Sequence, residues 1–210
     1  MIFHDYYADV PPDLVDRFVR SQELGRLITL GEDGTPHVGL YPFVAEAEAI
    51  DLHLVRADEQ VADLGMRPRC VFEVDEVLGV IPSYWVHPEY AGAATAYHRT
   101  VIFECTGRVS DDPSAVAAQQ ARLLARYQPE GGFRPVDAAH PLYRDAIGQL
   151  AAVRLTVGRR RIKFKLGQNR PVEARRRIIA ELQKRGRPAD LHAAACLEEI
   201  IDPSNPARLS

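Results

Sequence analysis

The stretch Lys163-Phe164-Lys165-Leu166-Gly167-Gln168-Asn169-Arg170, "KFKLGQNR", decides how the chain is read. Lys163 and Lys165 alternate with the apolar Phe164 and Leu166, and the run then passes through two amides to a third positive charge at Arg170. It follows Arg159-Arg160-Arg161-Ile162 and precedes Pro171, where a helix is expected to begin. Alternation of this kind is a strand pattern. Spacing alone admits three readings: a solvated strand edge, a nucleic-acid patch, or the wall of an anion pocket.

Charge outside this stretch is unevenly spread. The 210 residues carry a net charge of −3, with 46% hydrophobic and 26% charged residues, the composition of a soluble globular protein. Residues 154–187 hold thirteen Lys or Arg against two Glu, so the rest of the chain is acidic. No apolar run approaches the roughly 20 residues that span a bilayer. The start, "MIFHDYYADVPPD", lacks a basic region and an apolar core, so no signal peptide is expected. Cys70, Cys105 and Cys196 are odd in number and widely spaced, which suits reduced core thiols in a cytoplasm rather than a disulfide frame or a zinc site.

Pattern reading gives five to seven strands, many joined by short turns, with helices at both ends and one or two inserted. Asp33-Gly34 is a turn dipeptide between two apolar-rich runs and predicts a hairpin. "AIDLHLVRA" predicts a strand, and Asp58 caps a helix after it. "PSAVAAQQARLLARYQ" predicts a helix with Pro113 in its first turn. "AAVRLTVGRRRIKFKLGQN" reads as a strand, a turn at Gly158 and a second strand; the helix after it ends at Gly186. The pattern predicts a mainly β, α+β protein: an antiparallel barrel with helices outside.

Several residues are candidates for chemistry. Arg56 ends a strand just before a helix N-terminus, a place that favours an anion; it also suits a surface arginine paired with Asp58 or Glu59. "VIPSYWVHP" brings hydroxyls together with Trp85, the sole tryptophan, and reads as the wall of a flat cofactor or as an aromatic cluster burying its own area. His98 and Thr100 share a strand face, and His98 is the best candidate for acid–base work. His37 and His53 also fall on expected strands, and the spacings give no zinc motif. Arg175, Arg176 and Arg177 fan out around a helix. Residues 159–187 with Phe164 interleaved could track a nucleic-acid backbone.

These pieces, in this order, resemble the PaiB-like proteins, which have the flavin-binding split barrel shared with pyridoxamine phosphate oxidase. The eight residues opening at Lys163 are similar to that family's Lys-Phe-Lys-Leu-Ser-Gln-Asn-Arg. His53-Leu54-Val55-Arg56-Ala57-Asp58 resembles His-x-Ala-Arg-Ala-Asn, and Pro82-Ser83-Tyr84-Trp85 resembles Pro-Ser-Trp-Tyr. The chain departs at Gly167, where relatives have Ser, and at Asp58, where they have Asn. A Thr-Trp-Asn-Tyr segment is missing, and Tyr97-His98-Arg99-Thr100-Val101 stands in its region.

The resemblance implies a split-barrel domain over residues 1–186, with 187–210 a C-terminal helix and tail. It implies a cytoplasmic homodimer with FMN held between subunits, Arg56 and Lys165 on the phosphate, and Ser83, Thr100 and Gln168 supplying hydrogen bonds. The function it implies is a flavin-dependent oxidoreductase acting on a small molecule. The alternatives are a negative transcriptional regulator binding DNA through 159–187, and a haem enzyme with His37, His53 or His98 as ligand.

Overall fold

The computed structural model describes residues 1–201; the expected tail after them lies outside the described residues. Seven strands form one sheet: β1 (Leu24–Leu30), β2 (Pro36–Pro42), β3 (Val44–Ala45), β4 (Ala49–Val55), β5 (Arg69–Ile81), β6 (Thr95–Ser110) and β7 (Leu150–Lys165). Their order is β2-β1-β5-β6-β7-β4-β3. β1 pairs antiparallel with β2 and β5, and β4 pairs antiparallel with β3 and β7. The helices are α1 (Asp5–Ala8), α2 (Pro12–Ser21), α3 (Glu59–Met66), α4 (Pro113–Tyr127), α5 (Pro141–Gly148), α6 (Val172–Arg185) and α7 (Pro188–Ile201).

The chain divides into two compact units. One holds Phe18–Val74 and Ile102–Arg160; the other holds Met1–Arg17, Asp75–Val101 and the described residues 161–201. The boundary expected at residue 186 therefore falls inside the second of these, and α7 packs on α6 there. β5, β6 and β7 each contribute one stretch to each unit.

The first unit is the barrel. The outermost strands of the sheet order, β2 and β3, are separated in sequence by Phe43 alone, so the sheet must curl back on itself. At that corner Phe43 leaves the ladder, and its backbone groups need other partners. The end of α4 supplies them: the Tyr127 hydroxyl accepts from the Phe43 N–H at 3.0 Å, and Arg126 donates to the Phe43 carbonyl at 2.8 Å. The Phe43 ring turns inward against Phe72, with centroids 5.1 Å apart. Leu27, Ile50, Leu52, Val153 and Leu155 are fully buried around it. The expected antiparallel split barrel with peripheral helices is the fold the chain adopts.

The expected turn at Gly158 is corrected. β7 runs unbroken from Leu150 to Lys165, and Gly158 does not take a positive φ. A Cβ at this position would lie 3.5 Å from the Glu104 carbonyl, ordinary contact distance. Gly158 is thus a strand glycine, not a turn glycine. Gly79 takes φ 140° inside β5, a value that favours glycine.

The second unit buries Leu78, Ile81, Tyr97, Val101, Phe164, Leu166, Ile178 and Leu182, and Ala193 and Leu197 of α7. Gly186 ends α6 in the left-handed conformation, its N–H returning to the Leu182 carbonyl. Asp190 is buried and takes two bonds from Arg185, at 2.7 and 2.5 Å, which fixes the α6–α7 turn.

One buried charge stands out in the barrel. Asp51 on β4 is 1% exposed and accepts from Arg154 through both oxygens, at 3.0 and 2.9 Å, and from Arg122 at 3.0 Å. Removing one partner of a buried pair is expensive, but both arginines are about half exposed and can rehydrate. Asp51→Ala is expected to cost about 2–3 kcal/mol, and Arg122→Ala, which leaves Arg154 in place, less than about 1 kcal/mol. Denaturant midpoints of the two variants check this ranking.

Candidate functional site

The basic end of β7 meets β6 in the second unit. Alternation places Phe164 and Leu166 in the core, both at most 1% exposed, and leaves Lys163 and Lys165 half-buried on the other parity. His98 and Thr100 lie on β6, and the His98 Nδ1 is 2.8 Å from the Thr100 Oγ1. Burial lowers the His98 pKa, and Lys163 and Lys165 lower it further. The Lys163 ammonium is held below its ordinary value by burial and then by Lys165. Neither lysine has a carboxylate in salt-bridge range among the described residues. This is a face short of negative charge, built from two ammonium donors, a hydroxyl and an imidazole.

Three of the expected cofactor residues stand apart from this face or are engaged differently. Ser83 opens a 3-10 turn, Ser83–Trp85, and its carbonyl accepts from Val86 and His87. Gln168 stabilises the bend after β7: its carbonyl accepts from the Leu166 N–H at 2.9 Å, and its amide donates to the Phe164 carbonyl at 2.6 Å. Arg56 belongs to the barrel unit. It reaches the Asp111 carbonyl at 3.4 Å and the Asp111 carboxylate at 3.8 Å, rather than Asp58 or Glu59. Asp58 caps α3, accepting from the Gln60 N–H at 2.9 Å, and also accepts from the Tyr41 hydroxyl at 3.0 Å. A carboxylate at a helix N-terminus is favourable there. It occupies the position that would otherwise receive an anion.

The remaining histidines separate clearly. His37 on β2 sets its Nδ1 2.7 Å from Asp63, which is buried and also accepts from Thr29 at 2.6 Å. The hydrogen bond with Asp63 raises the His37 pKa. Gln60, one turn before Asp63 on α3, donates to the Leu27 carbonyl at 3.0 Å and to the Thr29 hydroxyl at 3.1 Å. Nothing in the spacing of His37 and Asp63, 26 residues apart, announces this pair. His53 has a buried Nδ1 without a partner, and burial lowers its pKa. Cys70, Cys105 and Cys196 are free and buried, as expected of core thiols.

Two grooves are also present. One, of 380 Å³, includes Tyr84, Trp85 and Arg177; the Arg185 guanidinium covers Trp85 at 4.6 Å from the ring centroid. The other, of 610 Å³ in the barrel unit, includes Thr106, Arg108, Arg154 and Thr156, none of which the sequence singles out. Neither contains Arg56, Thr100, Lys165 or Gln168.

Gly167 takes φ +77°, and a Cβ there would stand 2.4 Å from the Tyr97 hydroxyl. Tyr97 is 1% exposed. Burial pushes its pKa up, and Arg170 and Arg175 pull it back. At position 167 the Tyr97 hydroxyl thus fills the space that any side chain would need.

Two outcomes are expected. Gly167→Ser costs about 2–4 kcal/mol, from left-handed backbone strain and the clash; adding Tyr97→Phe recovers only the clash part, and thermal unfolding of the single and double variants measures the split. His98 titrates below its ordinary 6.5, so the stability it contributes is present above pH 6.5 and is lost as pH falls through its folded value. NMR titration of its ring checks this, and Lys165→Met moves the midpoint up.

Comparison with known proteins bears on this site. No curated protein matches the chain. Among solved structures, the conserved hypothetical protein Rv2991 of Mycobacterium tuberculosis is 20% identical, with TM-score 0.58 over 81% of this chain and 94% of that one. The FAD and haem binding protein of Mycobacterium smegmatis is 14% identical, with TM-score 0.62 over 79% and 76%. The flavocytochrome Anf3 of Azotobacter vinelandii is 16% identical, with TM-score 0.60 over 73% and 67%. At these identities the likeness is one of fold. A family described as "Putative FMN-binding domain" matches residues 1–159, ending just before Lys163, and the chain belongs to that family.

Proposed function

We propose that this chain binds FMN and works as a flavin-dependent oxidoreductase on a small molecule, as a cytoplasmic homodimer of the PaiB-like kind. The observation that carries the reading is the face of Lys163, Lys165, His98 and Thr100, which has donors in excess and no carboxylate. A dianionic phosphate is the ligand such a set suits, because charge-assisted bonds are the strong ones. Bound FMN would supply the redox chemistry; the protein holds and orients it. His98 commits its Nδ1 to Thr100, which leaves Nε2 for proton transfer to or from a substrate. Arg56 and Lys165 belong to different units, so each is tested on its own. The flavin named in the Mycobacterium smegmatis structure agrees with a flavin on this fold.

The DNA-binding alternative gains little from the basic segment. Arg161 stacks on Phe3 at 3.9 Å from the ring centroid, and Arg185 is taken by Asp190 and Trp85. A haem reading has one observation in its favour. His37 pairs its Nδ1 with a buried carboxylate, the arrangement that orients metal-ligating histidines.

Titration of purified protein with FMN is expected to saturate, and Lys165→Ala is expected to weaken binding by about tenfold or more, the worth of one charge-assisted bond. Riboflavin, without the phosphate, should bind alike to both proteins. Arg56→Ala in the same assay tells whether that arginine also reads the phosphate. A protein that takes up no FMN contradicts the reading. A Soret band with haemin that disappears in His37→Ala, in a protein without FMN, supports haem instead.

A further inference from the structure

The bend at Gly167 is walled by hydrogen-bond donors that have nothing to donate to. The Tyr97 hydroxyl is buried and has no acceptor for its O–H among the described residues, and the buried Arg175 Nε–H is also unpartnered among them. Both side chains face the glycine, since a Cβ there would lie 2.4 Å from the Tyr97 hydroxyl and 3.7 Å from the Arg175 Cγ. Arg170 acts on Tyr97 both electrostatically and as a hydrogen-bond donor to its oxygen, and also donates to the Ala93 carbonyl at 3.1 Å, which leaves the Tyr97 O–H itself to donate elsewhere. Neither arginine is paired with a carboxylate among the described residues.

The same corner holds the start of α6, a helix of 14 residues. Its N-cap is Pro171, which offers no side-chain cap. The N–H groups of Ala174 and Arg175 both go to the Pro171 carbonyl, at 3.1 Å each. Those of Val172 and Glu173 have no partner among the described residues, as is usual for the first turn of a helix. Glu173 itself is exposed.

Every free group in this set is a donor. Guanidinium and backbone N–H groups cannot accept, and the tyrosine hydroxyl can donate. One water accepts only two hydrogen bonds. A group with several oxygens and negative charge accepts more, and it also offsets two positive side chains. We propose that this corner binds a small oxyanion, a phosphate or carboxylate group, through the Tyr97 hydroxyl, Arg170, Arg175 and the first N–H groups of α6. The proposal stands on other residues than the flavin reading, which rests on Lys163, Lys165, His98 and Thr100.

Inorganic phosphate is the probe, with chloride at matched ionic strength as control. Thermal unfolding and calorimetric titration of the full chain are expected to show saturable phosphate binding. Tyr97→Phe and Arg175→Gln should each weaken it by about tenfold, while Lys165→Ala leaves it unchanged. No phosphate-specific shift, or equal binding by the wild type and by both corner variants, overturns the site. So does a crystal grown in phosphate that shows one ordered water against Tyr97 and nothing else. Displacement of phosphate by FMN but not by riboflavin would support the site and assign the oxyanion to the flavin. Phosphate that stays bound beside FMN would support a separate acidic ligand.

Discussion

The register of β7 is the constraint on which the candidate site depends. A pleated strand sends successive side chains to opposite faces. In the barrel unit β7 buries Ala151, Val153 and Leu155 on its odd-numbered face and exposes Arg154 and Thr156, while the even-numbered Ala152 is buried in a separate cluster with Val116, Ala117 and Ile147 of α4 and α5. In the other unit the buried residues are even-numbered, Phe164 and then Leu166 just past the strand. Each unit buries the parity its own core requires, and in the second this leaves Lys163 and Lys165 off the core. A turn at Gly158 would have uncoupled the two stretches. The unbroken strand ties the position of the lysines to the packing of Phe164, so a slip of one residue would bury both charges.

A second constraint comes from buried polar groups that must be satisfied. In the barrel unit, Asp63 and Gln60 lie on one face of α3 and join it to β1 and β2 through Thr29, His37 and the Leu27 carbonyl. That contact fixes where α3 begins, and therefore where Asp58 and Arg56 stand. In the other unit, Glu76 does a similar service: it takes two bonds from the buried Arg99, at 2.9 and 2.5 Å, and one from His192 of α7 at 2.8 Å. Donors at the Gly167 corner have no such partner, which is why that corner, and not the Arg99 cluster, reads as a ligand site.

What the sequence disclosed follows the range of the interaction involved. The Asp33-Gly34 turn, the Asp58 cap, Pro113 in the first turn of α4 and Gly186 after α6 act over a few residues, and all are where the sequence puts them. The split barrel came from the order of elements and from a resemblance in three motifs. Gly158 was misread because a glycine between two apolar runs suits a turn and a strand equally well. His37 with Asp63, and Tyr97 with Gly167, join residues far apart in the chain, and only folding brings them together. Gln168 was legible as a hydrogen-bonding residue, but its partners are the backbone of its own bend.

Membership of a family described as a putative FMN-binding domain carries the cofactor reading, and the lysine face proposed for the phosphate lies beyond the matched residues. The most direct measurement is mass spectrometry of the small molecule released from the protein as isolated, quantified per chain. The account predicts FMN at close to one per chain. Haem in its place, or a protein that carries no flavin and acquires none when purified with FMN present, would contradict it.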